Sequence, residues 1–234
     1  MKKNFLPISL IAVMLIPAVS QADDSPVAVS FGVALQPSTW KGENKNGSDY
    51  EQNATQLQLS IRVRKGGFYT GLSFQGAEYD FEDGAPDKVG PSNALSQDDA
   101  KIKRGESDLV FGYFFWSQVS LFVDFKRIHN NWSNDPYSQS YHGMGIGVSG
   151  FNPINDKWIL FGSLGFINLD VRTDDKSIGD GKGSALVIGT LYKLTDHANL
   201  SFSLKSQHNE LDFDYGGEQD NDVGGLVLGF DYSL

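Results

Sequence analysis

The stretch GGLVLGFDYSL, residues 224–234, alternates in polarity along its whole length. Its apolar positions are Leu226, Leu228, Phe230, Tyr232 and Leu234. The residues between them are small or polar apart from Val227, and a period of two is typical of a β-strand with one apolar and one polar face. Such a strand either packs its apolar face against a second sheet or turns that face toward lipid. The rest of the sequence distinguishes the two.

The N-terminus has the pattern of a secretory signal peptide. Lys2 and Lys3 precede a mostly apolar run (residues 5–19), and small residues, Ser20 and Ala22, follow at positions −3 and −1 of a cleavage site. We predict cleavage after Ala22, which leaves residues 23–234 as a single domain. An uncleaved anchor helix is the alternative, but the run is shorter than the roughly 20 residues that a spanning helix needs.

Composition excludes several classes of function. The formal net charge of −10 argues against a nucleic-acid partner, because binding to phosphate groups needs a basic face. There is no cysteine, which excludes disulfides, thiol catalysis and cysteine-bound zinc. The acidic stretches 174–181 and 218–222 lack the full spacing of a calcium loop, so we expect neither a metal nor a cofactor.

Short alternating segments occupy most of the chain beyond the signal peptide, with almost no helical periodicity. Ten strands are predicted, at 27–36, 55–65, 67–81, 106–116, 118–129, 140–151, 157–171, 184–194, 199–213 and 224–234. No apolar run among them is long enough for a spanning helix, so a membrane location would require a barrel.

Short connections alternate along the chain with connections that are mostly longer. The longer ones are 37–54, 82–105, 130–139, 172–183 and 214–221. Transmembrane barrels have this alternation, whereas a sandwich with crossing connections does not. We therefore predict an all-β, antiparallel up-and-down transmembrane barrel of about ten strands, with short periplasmic turns and long extracellular loops.

Aromatic residues gather near both ends of the predicted strands. Near the short turns these are Phe68, Phe115, Trp116, Trp158, Tyr192 and Tyr232, and near the long loops they are Tyr79, Phe81, Trp132, Tyr141, Phe213 and Tyr215. The distribution favours two girdles at the membrane interfaces.

The signal peptide, the alternating connections and the amphipathic last strand together resemble the small outer-membrane β-barrel proteins of Gram-negative bacteria, in the broad porin-like superfamily. The resemblance covers residues 27–234 and is architectural. It implies export through a Sec-type route, contact with outer-membrane lipid and lipopolysaccharide, and a last strand that the barrel-insertion machinery recognises. That strand usually ends in Phe or Trp, whereas this chain departs by ending in Leu234.

With the apolar rows turned outward, alternation assigns a set of charged side chains to the lumen. These are Arg62, Arg64, Glu106, Asp108, Asp124, Lys126, Asp170, Lys205 and Asp231. In a barrel of eight strands, side chains just fill the interior, and a barrel of ten strands is close to that size. We therefore predict a network of charges inside a packed lumen, with a small pore as the alternative. Arg62 is expected to pair with Asp231 across the barrel closure or with Asp124 across the bore.

An enzyme site at the barrel rim is a second hypothesis. His129 and His208 fall near the outer ends of strands, close to carboxylates that could support a general base. Omptin proteases are ten-stranded barrels with an acidic, histidine-containing rim, but no stretch here matches their catalytic motifs, and no catalytic residue is predicted. We expect a non-enzymatic outer-membrane barrel serving in envelope integrity, surface interaction or limited small-solute passage. A rim hydrolase and a secreted soluble β-sandwich remain the alternatives.

Overall fold

The computed structural model describes residues 26–44, 47–82, 84–89, 99–133, 135–215 and 217–234, so the predicted signal peptide lies outside the described residues. Ten strands make up the fold of these described residues. They are β1 (Ala28–Glu43), β2 (Asp49–Lys65), β3 (Phe68–Phe81), β4 (Ala100–Trp116), β5 (Val119–Trp132), β6 (Ser138–Pro153), β7 (Trp158–Thr173), β8 (Lys176–Lys193), β9 (Ala198–Phe213) and β10 (Glu218–Ser233).

Each strand pairs antiparallel with its neighbours in the chain, and β1 pairs with β10 to close the barrel. Leu35 lies opposite Leu228 in this closing pair. The closed barrel confirms the predicted fold class and rules out the two-sheet sandwich. Across the described residues there is no helix long and apolar enough to cross a membrane.

Nine of the ten strands are longer than the sequence indicates, and β3 is one residue shorter, so that the strands have 14 to 18 residues each. They continue into the predicted long connections, and only the β3–β4 connection, residues 82–99, keeps more than five residues. The β7–β8 connection shrinks to Asp174 and Asp175, whose φ angles of 50° and 62° are those of a tight type I′ hairpin turn. Main-chain pairing therefore continues beyond the point where the outward apolar rows end.

The polarity of the outward face changes along the strands. On β4 the outward side chains are apolar from Leu109 to Phe115, but Lys101 and Lys103 take the same face nearer the long-loop end. On the inward face, buried Ile102 lies on the long-loop side of the charged residues of the lumen, and buried Val110 lies on their short-turn side. One half of the barrel thus has an apolar exterior, and the other half resembles a soluble protein with a polar exterior and an apolar core.

The apolar exterior forms a continuous band around the half of the barrel nearer the short turns. On β10 the band runs from Leu226 to Leu234. At a rise of about 3.4 Å per residue, these nine residues extend about 27 Å along a tilted strand. This length is comparable to the apolar band of transmembrane barrels, which is about 25 Å tall. Phe68, Trp116 and Tyr232 are exposed at its short-turn edge, as predicted for a girdle. The prediction of a second girdle near the long loops is wrong for five residues, whose side chains point inward and are buried. These are Tyr79, Phe81, Trp132, Tyr141 and Phe213.

Candidate functional site

The middle of the lumen holds a buried network of charges around Lys126. Its ammonium group lies 3.0 Å from the Glu106 carboxylate and 2.8 Å from that of Asp108. The guanidinium of Arg104 lies 2.8 Å from Glu106 on the other side. Alternation along β4 places Arg104, Glu106 and Asp108 in one inward row, and β5 places Lys126 directly opposite Asp108. The charges are thereby paired rather than left isolated in a region that excludes water.

Lys205 joins this network from the far wall of the barrel. Its ammonium group donates to the Gln75 side-chain oxygen at 2.9 Å, and the Gln75 amide donates to Glu106 at 2.7 Å. Arg104 is not among the predicted lumen residues, because the sequence predicts a loop at residues 82–105. The unbroken inward alternation from Ile102 through Arg104 to Glu106 is the signal that would have identified it.

A second ion pair spans the barrel closure. The Arg62 guanidinium on β2 lies 2.9 Å from the Asp231 carboxylate on β10, and both side chains are about nine-tenths buried. Gly32 on the intervening strand β1 leaves room for the contact, since a Cβ there would lie 2.6 Å from Asp231. The adjoining cavity, lined in part by Gln58 and Ser201, has a volume of about 10 Å³. That is room for about one water molecule.

Two predicted members of the network lie inside the barrel but take no part in these pairs. Arg64 lies near the short-turn end, where its guanidinium stacks 4.6 Å from the Phe114 ring and donates to the Gly66 carbonyl at 3.1 Å. Asp124 is buried beside Gly145 and forms no ion pair with any described residue.

The lumen prediction is wrong for Asp170. This residue lies on the outer wall, where Arg172 and Ser177 donate to its carboxylate. The error arose because polar side chains were assigned to the lumen along the whole strand, whereas the exterior is polar beyond the apolar band.

Apolar side chains fill the lumen on the short-turn side of the charges. Phe114 packs against Tyr69 and Phe151, with ring centroids 5.3 Å and 6.0 Å apart. The Tyr69 hydroxyl hydrogen-bonds to the Ser120 hydroxyl at 3.0 Å, so the one polar group of its ring is satisfied. The Tyr69 ring also covers Gly112, where any Cβ would collide with it.

A second aromatic cluster fills the lumen on the long-loop side. Trp40 is fully buried at its centre, with Tyr79 and Phe81 in edge-to-face contact at 5.2 Å and 5.4 Å. The Trp40 indole donates to Asn221 at 3.0 Å, and its ring lies 4.9 Å from the Arg104 guanidinium. The charges are thus enclosed between two aromatic layers.

Residues 84–89 of the β3–β4 connection fold over this cluster and are named here the cap. The side chain of Asn44 donates to the Ala85 carbonyl and accepts from the Asp87 backbone amide, both at 2.8 Å. Lys88 forms an ion pair with Asp135 at 2.7 Å. The Tyr137 hydroxyl bonds both backbone groups of Val89, at 2.9 Å and 2.7 Å. These contacts hold the cap inside the long-loop mouth of the barrel.

His208 lies on the outer wall, beyond the apolar band, and not in the mouth. Its imidazole contacts Asp222 at 2.8 Å and Glu210 at 3.5 Å. The hydrogen bond to Asp222 is the main cause that raises the pKa of His208 to about 9. A cleft of about 560 Å³ adjoins it and is lined largely by charged side chains, among them Glu43 and Asp49. His129 also lies on the outer wall, on the other side of the barrel.

The fold and the exposed apolar band define an outer-membrane-type β-barrel. Among solved structures, the outer membrane protease OmpT from Escherichia coli has a similar fold, with a TM-score of 0.58 and 11% sequence identity over 93% of this chain and 99% of that one. The translocator domain of the autotransporter NalP from Neisseria meningitidis matches with a TM-score of 0.47 and 11% identity, over 90% of each chain. The toluene transporter TodX from P. putida gives 0.32 and 10%, over 91% and 90%.

No protein-family model and no curated protein matches this chain. At 11% identity the likeness to OmpT shows the fold alone, so function has to be argued from the residues of this chain.

Proposed function

We propose that this protein is a non-enzymatic, non-conducting barrel of the Gram-negative outer membrane, whose long-loop half projects outside the cell and serves in envelope integrity and surface interaction. The observation that carries the proposal is the filling of the lumen. Two aromatic layers enclose a charge network, and the cap covers the aromatic layer at the long-loop mouth. Solute passage would require several of these layers to move together.

The membrane location is supported by the exposed apolar band and by the aromatic residues at its short-turn edge. We propose that the chain reaches it after Sec-type export and cleavage of residues 1–22. The barrel-insertion machinery would then recognise the outward row of β10, namely Leu226, Leu228, Phe230, Tyr232 and Leu234.

Single-channel recording in a planar bilayer tests the proposal. We expect refolded protein to insert without producing current steps, and the shift in electrophoretic mobility between unheated and heated samples verifies that the barrel has folded. Steady conductance steps would contradict a closed lumen. So would an Arg62→Ala variant that changes ion selectivity while its stability stays unchanged, because the lumen would then be wet.

A rim hydrolase is the second candidate, favoured by the contact between His208 and Asp222. A pKa of about 9 keeps most of the imidazole protonated at neutral pH, which disfavours it as a general base there. Incubation with peptide and lipid A substrates checks this candidate, and turnover that His208→Gln abolishes would establish the enzyme and overturn the proposal.

A further inference from the structure

The pairing of β2 with β3 stops partway along both strands. Its last pair toward the long loops is Leu57 with Gly76. Both strands continue beyond this pair, but among the residues that the structure describes β2 then pairs only with β1, and β3 only with β4. Residues 49–56 and 77–81 are therefore two strand edges without a ladder between them. This stretch of the wall is named here the seam.

The seam lies beyond the apolar band, on its long-loop side. Leu57 is the last apolar residue of the outward row on β2, and the next outward residues are Thr55 and Asn53. The side chain of Gln56 closes the floor of the seam by donating to the Tyr79 hydroxyl at 2.8 Å. The seam therefore opens to the exterior and leaves the lumen closed.

The side chain of Gln52 bridges the two edges. Its oxygen accepts from the Asn53 backbone amide at 2.9 Å, and its nitrogen donates to the Asp80 backbone carbonyl. One amide thus bonds β2 on one side and β3 on the other, as a peptide unit of an intervening strand would. Backbone groups point alternately to the two sides of a strand, so those of Thr55 and Glu78 lie along the same edges.

Free strand edges are a template for a further strand, which would bond to them through its own backbone. The side chains of such a strand would alternate between the exterior and the aromatic cluster below the seam. Ala54 and Ala77 lie there, partly buried against the cluster. Small apolar side chains therefore suit the inward positions of an added strand.

The outward face around the seam carries more negative than positive charge. Its carboxylates are Glu43, Asp49, Glu51, Glu78 and Asp80, and its ammonium groups are Lys41, Lys101 and Lys103. Lys101 and Lys103 both contact Glu78 on the β3 side. On the β2 side, Lys41 lies directly opposite Glu51 and is outnumbered by the carboxylates. An added strand with basic outward side chains complements this charge.

We propose that the seam binds an extended peptide segment of another protein outside the cell. The segment pairs through its backbone with the β2 edge at Asn53 and Thr55 and displaces the Gln52 side chain. It carries Lys or Arg at outward positions and small apolar residues at inward ones. The inference names the partner of the surface interaction and rests on that proposed function. Binding to purified protein is independent of membrane orientation and of conductance, so either proposal can fail without the other.

Fluorescence anisotropy measures binding of a labelled eight-residue peptide of alternating Lys and Val to folded protein in detergent. Asn53→Pro removes the backbone N–H from the edge and should weaken binding about tenfold. Asn53→Ala changes the same side chain but keeps the N–H, and it should bind like the wild type. Equal affinities of the Pro and Ala variants would overturn the proposal.

The peptide offers the same test without changing the protein, which matters if Asn53→Pro fails to fold by the electrophoretic criterion. Methylation of alternate backbone nitrogens removes the donors on one side of the peptide and leaves its charges and side chains in place. The methylated peptide should bind the wild type about tenfold more weakly. Undiminished binding would show that the peptide does not pair as a strand.

Carboxylate variants locate the charge that attracts the peptide. Glu51→Gln lies beside the added strand and should weaken binding about threefold, the effect of one cross-strand ion pair. Glu210→Gln removes one carboxylate from the outer wall at β9 and should leave the affinity unchanged. Equal losses in the two variants would mean that the acidic wall as a whole holds the peptide, and the seam would then not be the site.

A second copy of this chain is the competing occupant of the seam. Two β2 edges would meet antiparallel in a symmetric dimer. Sedimentation velocity of the protein alone in detergent distinguishes the occupants, and we expect a monomer. A dimer that Asn53→Pro dissociates would assign the seam to a second copy and overturn the assignment to a peptide of another protein.

Discussion

Arg62 and Asp231 show how a single buried pair depends on both of its partners. Their 2.9 Å contact lies where a cavity has room for about one water molecule, so neither charge is well hydrated if the other is removed. We predict that Arg62→Ala lowers the free energy of unfolding by about 3 kcal/mol, because it leaves the Asp231 carboxylate buried without a partner. Urea unfolding in lipid vesicles measures this.

The double variant separates the pair from its surroundings. Adding Asp231→Asn to Arg62→Ala should recover part of the lost stability, which is the signature of direct coupling. Strictly additive losses would mean that the two side chains act independently. The Lys103→Ala variant controls for the loss of one positive charge, because the Lys103 side chain is 64% exposed.

His208 links stability to pH. Contact with Asp222 raises its pKa from about 6.5 to about 9, so the folded state holds the proton more tightly than the unfolded chain. Its contribution is fully present below pH 6.5 and is lost as the pH rises through 9. Because the side chain is partly exposed, we expect His208→Gln to cost about 0.5–1 kcal/mol at pH 6 and close to nothing at pH 10. A cost that stays constant between these pH values would refute the ion pair.

At the scale of the strand, the apolar rows decide which part of the barrel faces lipid. Leu121 lies in the band on β5 and is 58% exposed, whereas Asn131 faces outward on the same strand beyond the band. We predict that Leu121→Arg costs about 2–4 kcal/mol of stability in lipid vesicles and that Asn131→Arg costs less than about 0.5 kcal/mol. Equal costs would show that the band does not end between these two positions.

Alternation in the sequence was sufficient to predict ten strands and the inward direction of the charges that form the network around Lys126. It was insufficient for the strand ends, because a polar outward residue such as Lys103 resembles a loop residue until its pairing partner is known. The change of the outward face from apolar to polar also explains the error at Asp170. Parity along a strand is fixed by backbone geometry, whereas the polarity of a face depends on whether lipid or water lies outside it.

At the scale of the whole molecule, the closure between β1 and β10 follows from the antiparallel order, but the filling of the long-loop mouth does not. Trp40 and Tyr79 are far apart in sequence and meet only in the assembled barrel. The position of the cap depends on Asn44, Asp135 and Tyr137, none of which is adjacent to it in the chain. Contacts of this kind leave no periodic pattern in the sequence.

The cap itself can be tested by chemical labelling, because the chain has no cysteine of its own. Val89 is 3% exposed, so a Val89→Cys side chain in vesicle-embedded protein should react slowly with a membrane-impermeant maleimide. Replacing Asn44 and Lys88 by Ala removes the clamp on Ala85 and Asp87 and the ion pair with Asp135. We predict that labelling then becomes about tenfold faster, which corresponds to about 1.4 kcal/mol less stability for the closed cap. Tyr215→Cys, at an exposed position in the β9–β10 connection, should react at one rate in both backgrounds. Fast labelling of Val89→Cys with the clamp intact would show that the mouth is open.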